Sequence, residues 1–296
     1  MCKKNLLFSS LSLLLLTFSP NANAEINKIL PSVNLSQNLL SQNNLENNVY
    51  GFLQGIWQGQ DPLSGEQIIM IFNRDNKFLV VRFPVGSTSP SFMEESEYRI
   101  NANIQPMQLD ILNQGQLNLT IFEFTADGKL RLEVNNVMPG KFRPTTFSNN
   151  TAILQKLPKD SPQAAEIQSK IQIRFLERDA SNKIRALTRA QQAFRLERPR
   201  FATAFSELNT NIGNETANYR FEILPQGNVS QIIVMTATAK QPGLRSYTGV
   251  VFVTRENYTF AGVCESDRPA TSPPKLPKIV SDGTNKVICV GDSHSL

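Results

Sequence analysis

Short β-rich runs separated by turn chemistry fill the chain from Leu53 to Leu157, and no other feature restricts its fold as much. The runs are Leu53–Gly59, Gln67–Phe72, Phe78–Phe83, Ser96–Ile104, Met107–Leu112, Leu117–Phe124, Lys129–Val134 and Thr151–Leu157. Between them lie Asn73-Arg74-Asp75-Asn76, Asn113-Gln114-Gly115 and Ala126-Asp127-Gly128, residues that tolerate the backbone angles of tight turns. About eight short antiparallel strands at roughly 8–12-residue spacing predict an all-β closed barrel or a sandwich.

The start of the chain reads as an export signal. Lys3 and Lys4 form a basic head, Leu6 to Phe18 an apolar core, and Ala22-Asn23-Ala24 a small-x-small cleavage motif, so Glu25 is the expected first mature residue. Cys2 precedes the apolar run and cannot be the lipid-bearing cysteine of a lipoprotein. Residues 1–24 are thus expected to be removed, leaving a periplasmic or secreted protein with no transmembrane anchor. Cleavage takes the formal charge from +5 to +3, a mild excess that does not by itself indicate nucleic acid. Residues 25–50, rich in Asn, Gln and Ser, read as a flexible leader with a weak helix around Leu35–Leu40.

A linker, residues 159–165, follows the β-rich half. Within it Ser161 can cap a helix and Pro162 suits a first turn. A helix running on to Leu196 places Ile173, Leu176, Ala180, Ile184, Leu187 and Phe194 on one side. Arg174, Arg178, Arg185 and Arg189 fall on another. An interruption at Asp179–Asn182 would break that stripe. Beyond Pro199 the polarity alternates in Tyr219–Leu224, Gln231–Lys240, Tyr247–Thr254 and Tyr258–Cys264. The expected architecture is α+β overall: the barrel or sandwich, then a long helix packed on a four-stranded antiparallel sheet. Tyr247 and Tyr258 alternate with apolar residues and are expected to finish the sheet core. Two cysteines, Cys264 and Cys289, survive cleavage and in an oxidising compartment would pair. Their disulfide would close a Pro-rich loop and add about 3 kcal/mol through loop entropy.

Four stretches carry a family resemblance. They are N-K-I-R-A-L-T-R-A-Q-Q-A-F-R-L-E-R-P-R-F-A-T (Asn182 to Thr203), E-T-A-N-Y-R-F-E-I (Glu215 to Ile223), A-K-Q-P-G-L-R-S-Y-T-G-V-V-F (Ala239 to Phe252) and the C-E-S-D that begins at Cys264. Together they resemble the cyanobacterial type IV pilin-like G/H family, which implies a pilin-like domain over residues 166–292. Type IV pilins commonly close a C-terminal loop with a disulfide, in agreement with the Cys264 and Cys289 pairing. A filament pilin also carries roughly 20 apolar residues directly before its helix, enough to cross a bilayer. Here Glu166 to Asp179 reads E-I-Q-S-K-I-Q-I-R-F-L-E-R-D, which cannot sit in lipid. In the first half, G-I-W at Gly55–Trp57 and R-P-x-x-F at Arg143–Phe147 resemble lipocalin-like domains, here over residues 51–158. That resemblance implies that Arg143 stacks on Trp57; the plainer reading makes Trp57 a core aromatic.

Chemistry-bearing patterns are sparse. The single histidine, His294, lies near the C-terminus, which leaves a serine or cysteine nucleophile without a base. No His pair or phosphate-binding Gly-rich loop occurs, so neither cofactor nor metal is expected. Glu94, Glu95 and Glu97 read as a solvated loop at a strand's start, not as a catalytic pair. The expected function is non-enzymatic: binding a protein or polysaccharide of the pilus or cell envelope. The arginine stripe could meet an anionic partner, although a solvated helix face is the plainer explanation, since exposed arginine is the ordinary condition. Nucleic acid is disfavoured because no aromatic residues interleave with the arginines. The alternative is a carrier that holds a small hydrophobic ligand in a barrel cavity near Trp57. A hydrolase is disfavoured by the same scarcity of histidine.

Overall fold

The computed structural model describes residues 45–87, 90–280 and 285–296. The expected signal peptide, its cleavage residues Ala22, Ala24 and Glu25, and the weak helix at Leu35–Leu40 lie outside these residues.

Of the two all-β alternatives, the chain forms the closed barrel. The strands are β1 (Gly55–Gln60), β2 (Gln67–Phe72), β3 (Lys77–Phe83), β4 (Phe92–Asn101), β5 (Met107–Asn113), β6 (Gln116–Phe124), β7 (Leu130–Glu133) and β8 (Thr151–Lys156). Each pairs antiparallel with the next, and β1 closes the ring on β8. Gln114 and Gly115, both at positive φ (47° and 81°), make the tight β5–β6 hairpin, where glycine meets no steric cost. Period-two alternation sends Ile68, Met70, Phe72, Phe78, Tyr98, Ile100, Phe122 and Leu132 into the barrel core. The leader expected up to residue 50 is helical from residue 45: a helix, α1, covers 45–53. Its Val49, Tyr50 and Leu53 pack onto the barrel core and plug the end where β1 begins.

The alternate residues Ile56, Ile69, Leu79, Val81 and Phe83 point outward yet are also buried, because a helix covers them. That helix, α2 (Pro162–Glu197), is unbroken over 36 residues, so the interruption at Asp179–Asn182 does not occur. Ser161 Oγ accepts the Ala164 N–H at 3.1 Å, and Pro162 occupies the first turn. At about 100° per residue, Ala164, Ile167, Ile171 and Phe175 lie on one side, roughly opposite Ile173, Leu176, Ala180, Ile184 and Leu187. The first set packs on the outside of the barrel, the second on the sheet of the second half. One helix therefore serves two bodies through opposite faces.

The sheet follows the order β15 (Ser293–Ser295), β12 (Thr259–Ser266), β11 (Tyr247–Val253), β10 (Ile232–Ala239), β9 (Tyr219–Pro225). A fifth, polar strand at the C-terminus thus joins the four expected, and the helix-on-sheet packing is as expected. On the face away from α2, the Cys264–Cys289 disulfide holds a small hairpin of β13 (Lys278–Val280) and β14 (Lys286–Ile288). Two close approaches need glycine. A Cβ at Gly262 would meet the Val287 side chain at 2.5 Å, and one at Gly249 would meet Thr188 Cγ2 of α2 at 2.9 Å. Tyr247 is buried as expected, whereas Tyr258 stands exposed in the turn before β12 because its alternation belongs to a loop.

Candidate binding sites

The barrel has one sealed and one open end. At the sealed end Trp57, fully buried, donates its indole N–H to Leu53 O at 2.7 Å and stacks on Phe124 at 5.9 Å between centroids. The cation over its ring is Lys156 Nζ, 5.3 Å from the centroid, not Arg143. Burial lowers the Lys156 pKa. Arg143 lies in the loop after β7, which leaves the barrel at the open end, away from the start of β1. Its guanidinium donates to Leu109 O (3.2 Å) and Thr120 O (2.6 Å) and pairs with Asp110, pinning the loop to β5 and β6. The expected Trp57–Arg143 stack is therefore replaced by two separate contacts.

The open end leads into a recess of about 440 Å³. Met70, Phe78, Val80, Ile111 and Leu132 form its apolar wall, with Glu66, Arg82, Glu94 and Asn113 nearer the rim. Trp57 does not line it, which moves the candidate ligand space away from the expected position. Glu94 itself is a correction. β4 begins at Phe92, so the three carboxylates lie on a strand, and alternation turns Glu95 and Glu97 to solvent but Glu94 inward. Trp57 emission is expected to be blue-shifted and to stay unchanged when the recess fills. A ligand-induced shift in a fluorescence titration would contradict this placement.

A second polar cluster sits at the seam between barrel and sheet. Glu177, with only 3% of its side chain exposed, lies 3.2 Å from Arg174 Nη1 and 3.6 Å from Arg245 Nη1, and accepts the Arg245 backbone N–H at 3.1 Å. The Tyr247 hydroxyl lies 2.9 Å from Glu265 Oε1 and 3.2 Å from Glu177 O. Burial first, then the Glu265 and Glu177 carboxylates, push the Tyr247 pKa up, so the phenol stays a donor. His294 on β15 completes the group, with Nε2 3.1 Å from Glu265 and Nδ1 2.8 Å from Asp267. The two carboxylates meet opposite ring nitrogens. Pro90, Phe92 and Met93 of the barrel close one side of a small gap over this network, of about 190 Å³.

The four stripe arginines have different fates. Arg174 is engaged by Glu177, and Arg178 lies over the Phe175 ring at 4.8 Å, both at the seam. Arg185 is half-buried and Arg189 exposed, and neither forms an ion pair among the described residues. They continue, past the barrel's edge, the helix side that the barrel covers upstream.

Helix, sheet and disulfide-held hairpin have a counterpart among known families. Residues 177–290 match the family model for type IV pilin-like G and H. The match begins at Glu177 of the seam network and runs through β14 to the disulfide. The barrel and the barrel-packed part of α2 lie before it. No curated protein and no solved structure matches the chain. Among the described residues, no helix is long and apolar enough to cross a membrane. Within the pilin-like head, the loop after α2 is fixed by Glu207. The Arg200 guanidinium first, then the Thr203 and Ala204 N–H groups, hold the Glu207 carboxyl down at about 2.

Proposed function

We propose that this is an exported, non-enzymatic, pilin-like protein that binds a pilus or envelope component or an extracellular polymer and is not itself a filament subunit. The docking of Ile167 and Ile171 on the barrel carries this reading. In a filament pilin the segment before the head is an apolar spine; here the same stretch of helix is polar on its free sides and committed to the barrel. The disulfide supports a periplasmic or extracellular location. We assign the partner surface to the exposed side of α2 around Arg185 and Arg189, which suits acidic groups on a protein or polysaccharide. Nucleic acid is disfavoured, as no aromatic side chains flank these arginines for stacking. Mass spectrometry of sheared, purified pili from the native cell tests the reading. The protein should be absent from the filament core and recovered with the envelope fraction. Recovery as a stoichiometric filament subunit would contradict it.

A second reading is favoured by the recess: the barrel, lipocalin-like in pattern, acts as a carrier for a small amphipathic molecule. An apolar wall with a few polar groups in about 440 Å³ falls within the usual size of small-molecule pockets, roughly 300–1,000 Å³. The two readings are compatible, since Phe92 lines both the recess and the seam beside the head.

A further inference from the structure

We propose that the barrel recess takes a small amphipathic molecule with a protonated nitrogen, and that Glu94 holds that nitrogen. The proposal rests on the carrier reading and adds the chemical class of the ligand. Strand register sets the depth of each group. Phe78 pairs with Ser96, Val80 with Glu94 and Arg82 with Phe92. Because Tyr98 and Ile100 of the same strand lie in the barrel core, Ser96, Glu94 and Phe92 share its inner face. Glu94 thus sits one step below the rim, in a wall whose neighbours are Val80, Phe78 and Met70.

The charged groups around it already have partners. Arg82 lies 2.6 Å from Asp61 and 3.9 Å from Glu66. Glu133 accepts from the Asn135 N–H at 2.8 Å, the Ser148 N–H at 2.5 Å and Ser148 Oγ at 3.0 Å. Glu94 makes no hydrogen bond or ion pair among the described residues. Independently, Ser96 is only 8% exposed and lines the recess below Glu94, and its hydroxyl has no hydrogen-bond partner among the described residues either. An unpartnered hydroxyl and an unpartnered, half-buried carboxylate on one strand face, both opening on the recess, suit a ligand that supplies a donor to each. An anionic head would face Glu66, Glu94 and Glu133 against one already paired arginine. A cationic head gains a charge-assisted hydrogen bond from Glu94 while its apolar body covers Met70, Phe78 and Leu132. Leu63, Val85 and Met138 stand exposed on loops of the same open end and give an apolar body a path inward.

Isothermal titration calorimetry of the purified protein with decylamine, decanol and decanoic acid at pH 7, each below its micelle threshold, tests the proposal. Decylamine should bind roughly tenfold tighter than decanoic acid. Glu94→Gln, which keeps the shape and removes the charge, should erase that preference without moving the melting midpoint. The wild-type preference stands as a readout of its own if the variant proves unstable. Equal binding of all three compounds, or undiminished decylamine binding by a folded Glu94→Gln, overturns the proposal and leaves the carrier reading in place. Binding of none overturns both.

Discussion

Glu177→Ala is expected to lower the protein's stability by roughly 3–5 kcal/mol, the range for breaking a buried ion pair from one side. The carboxylate satisfies the Arg245 backbone N–H and faces the Arg245 guanidinium, whose Nε already lacks a partner. Removing it leaves a largely buried cation and a partly buried amide without acceptors. The Arg174 contact adds less, because 35% of that side chain is exposed and its charge is screened. Glu177→Gln keeps an acceptor for the amide and should cost visibly less than Ala. Urea unfolding followed by far-ultraviolet circular dichroism reads both variants. A loss under about 1 kcal/mol for Ala would mean that the seam network is solvated and does not organise the head.

The second large effect is expected from Ile171→Asp. Ile171 is 6% exposed and packs in one cluster with Ile69, Val81 and Phe83 of the barrel wall. An aspartate there buries an unpaired carboxylate against an apolar wall, at a cost of several kcal/mol. The chain can avoid this cost by undocking α2 from the barrel, since the pilin-like head holds the other half of the helix separately. Calorimetry should therefore show the single wild-type transition splitting into two, with the head's own melting little changed. Ile171→Ala, which removes packing but adds no charge, should lower the transition, by about 2–5 kcal/mol, without splitting it. A single unshifted transition for the Asp variant would show that the seam carries no mechanical or energetic weight.

Much of this fold was readable in the chain, for physical reasons that also explain what was not. The barrel strands announce themselves through alternation and turn residues, and β2 shows even its two-sided burial, since Ile68-Ile69-Met70-Ile71-Phe72 is a continuous apolar run. The second apolar stripe of α2 was hidden. Ala164, Ile167 and Ile171 sit nearly opposite Ala180, Ile184 and Leu187, and two opposed stripes cancel in any single amphipathic direction. Their separation along the helix was the available clue. β15 had none, because Ser-His-Ser carries no strand propensity and owes its shape to pairing with Cys264–Ser266. α1 was masked by its Asn-rich surroundings, although Val49, Tyr50 and Leu53 fit one helix face. Of the site residues, Glu94 was legible only through strand parity: three acids in close sequence look solvated until alternation turns one of them inward. The Arg143–Trp57 stack failed because Arg143 is bonded to Leu109 O, Thr120 O and Asp110 on β5 and β6, while Lys156, paired with Trp57 across β1 and β8, lies over the indole ring.

Whether one helix serves both bodies is read most directly by hydrogen exchange along α2. Amides of residues 164–175, on the barrel, should exchange as slowly as those of 180–191, on the sheet, and the two segments should open together. Fast exchange over 164–175 beside protection over 180–191 would contradict it, leaving a pilin-like head with a free upstream helix and a barrel merely tethered to it.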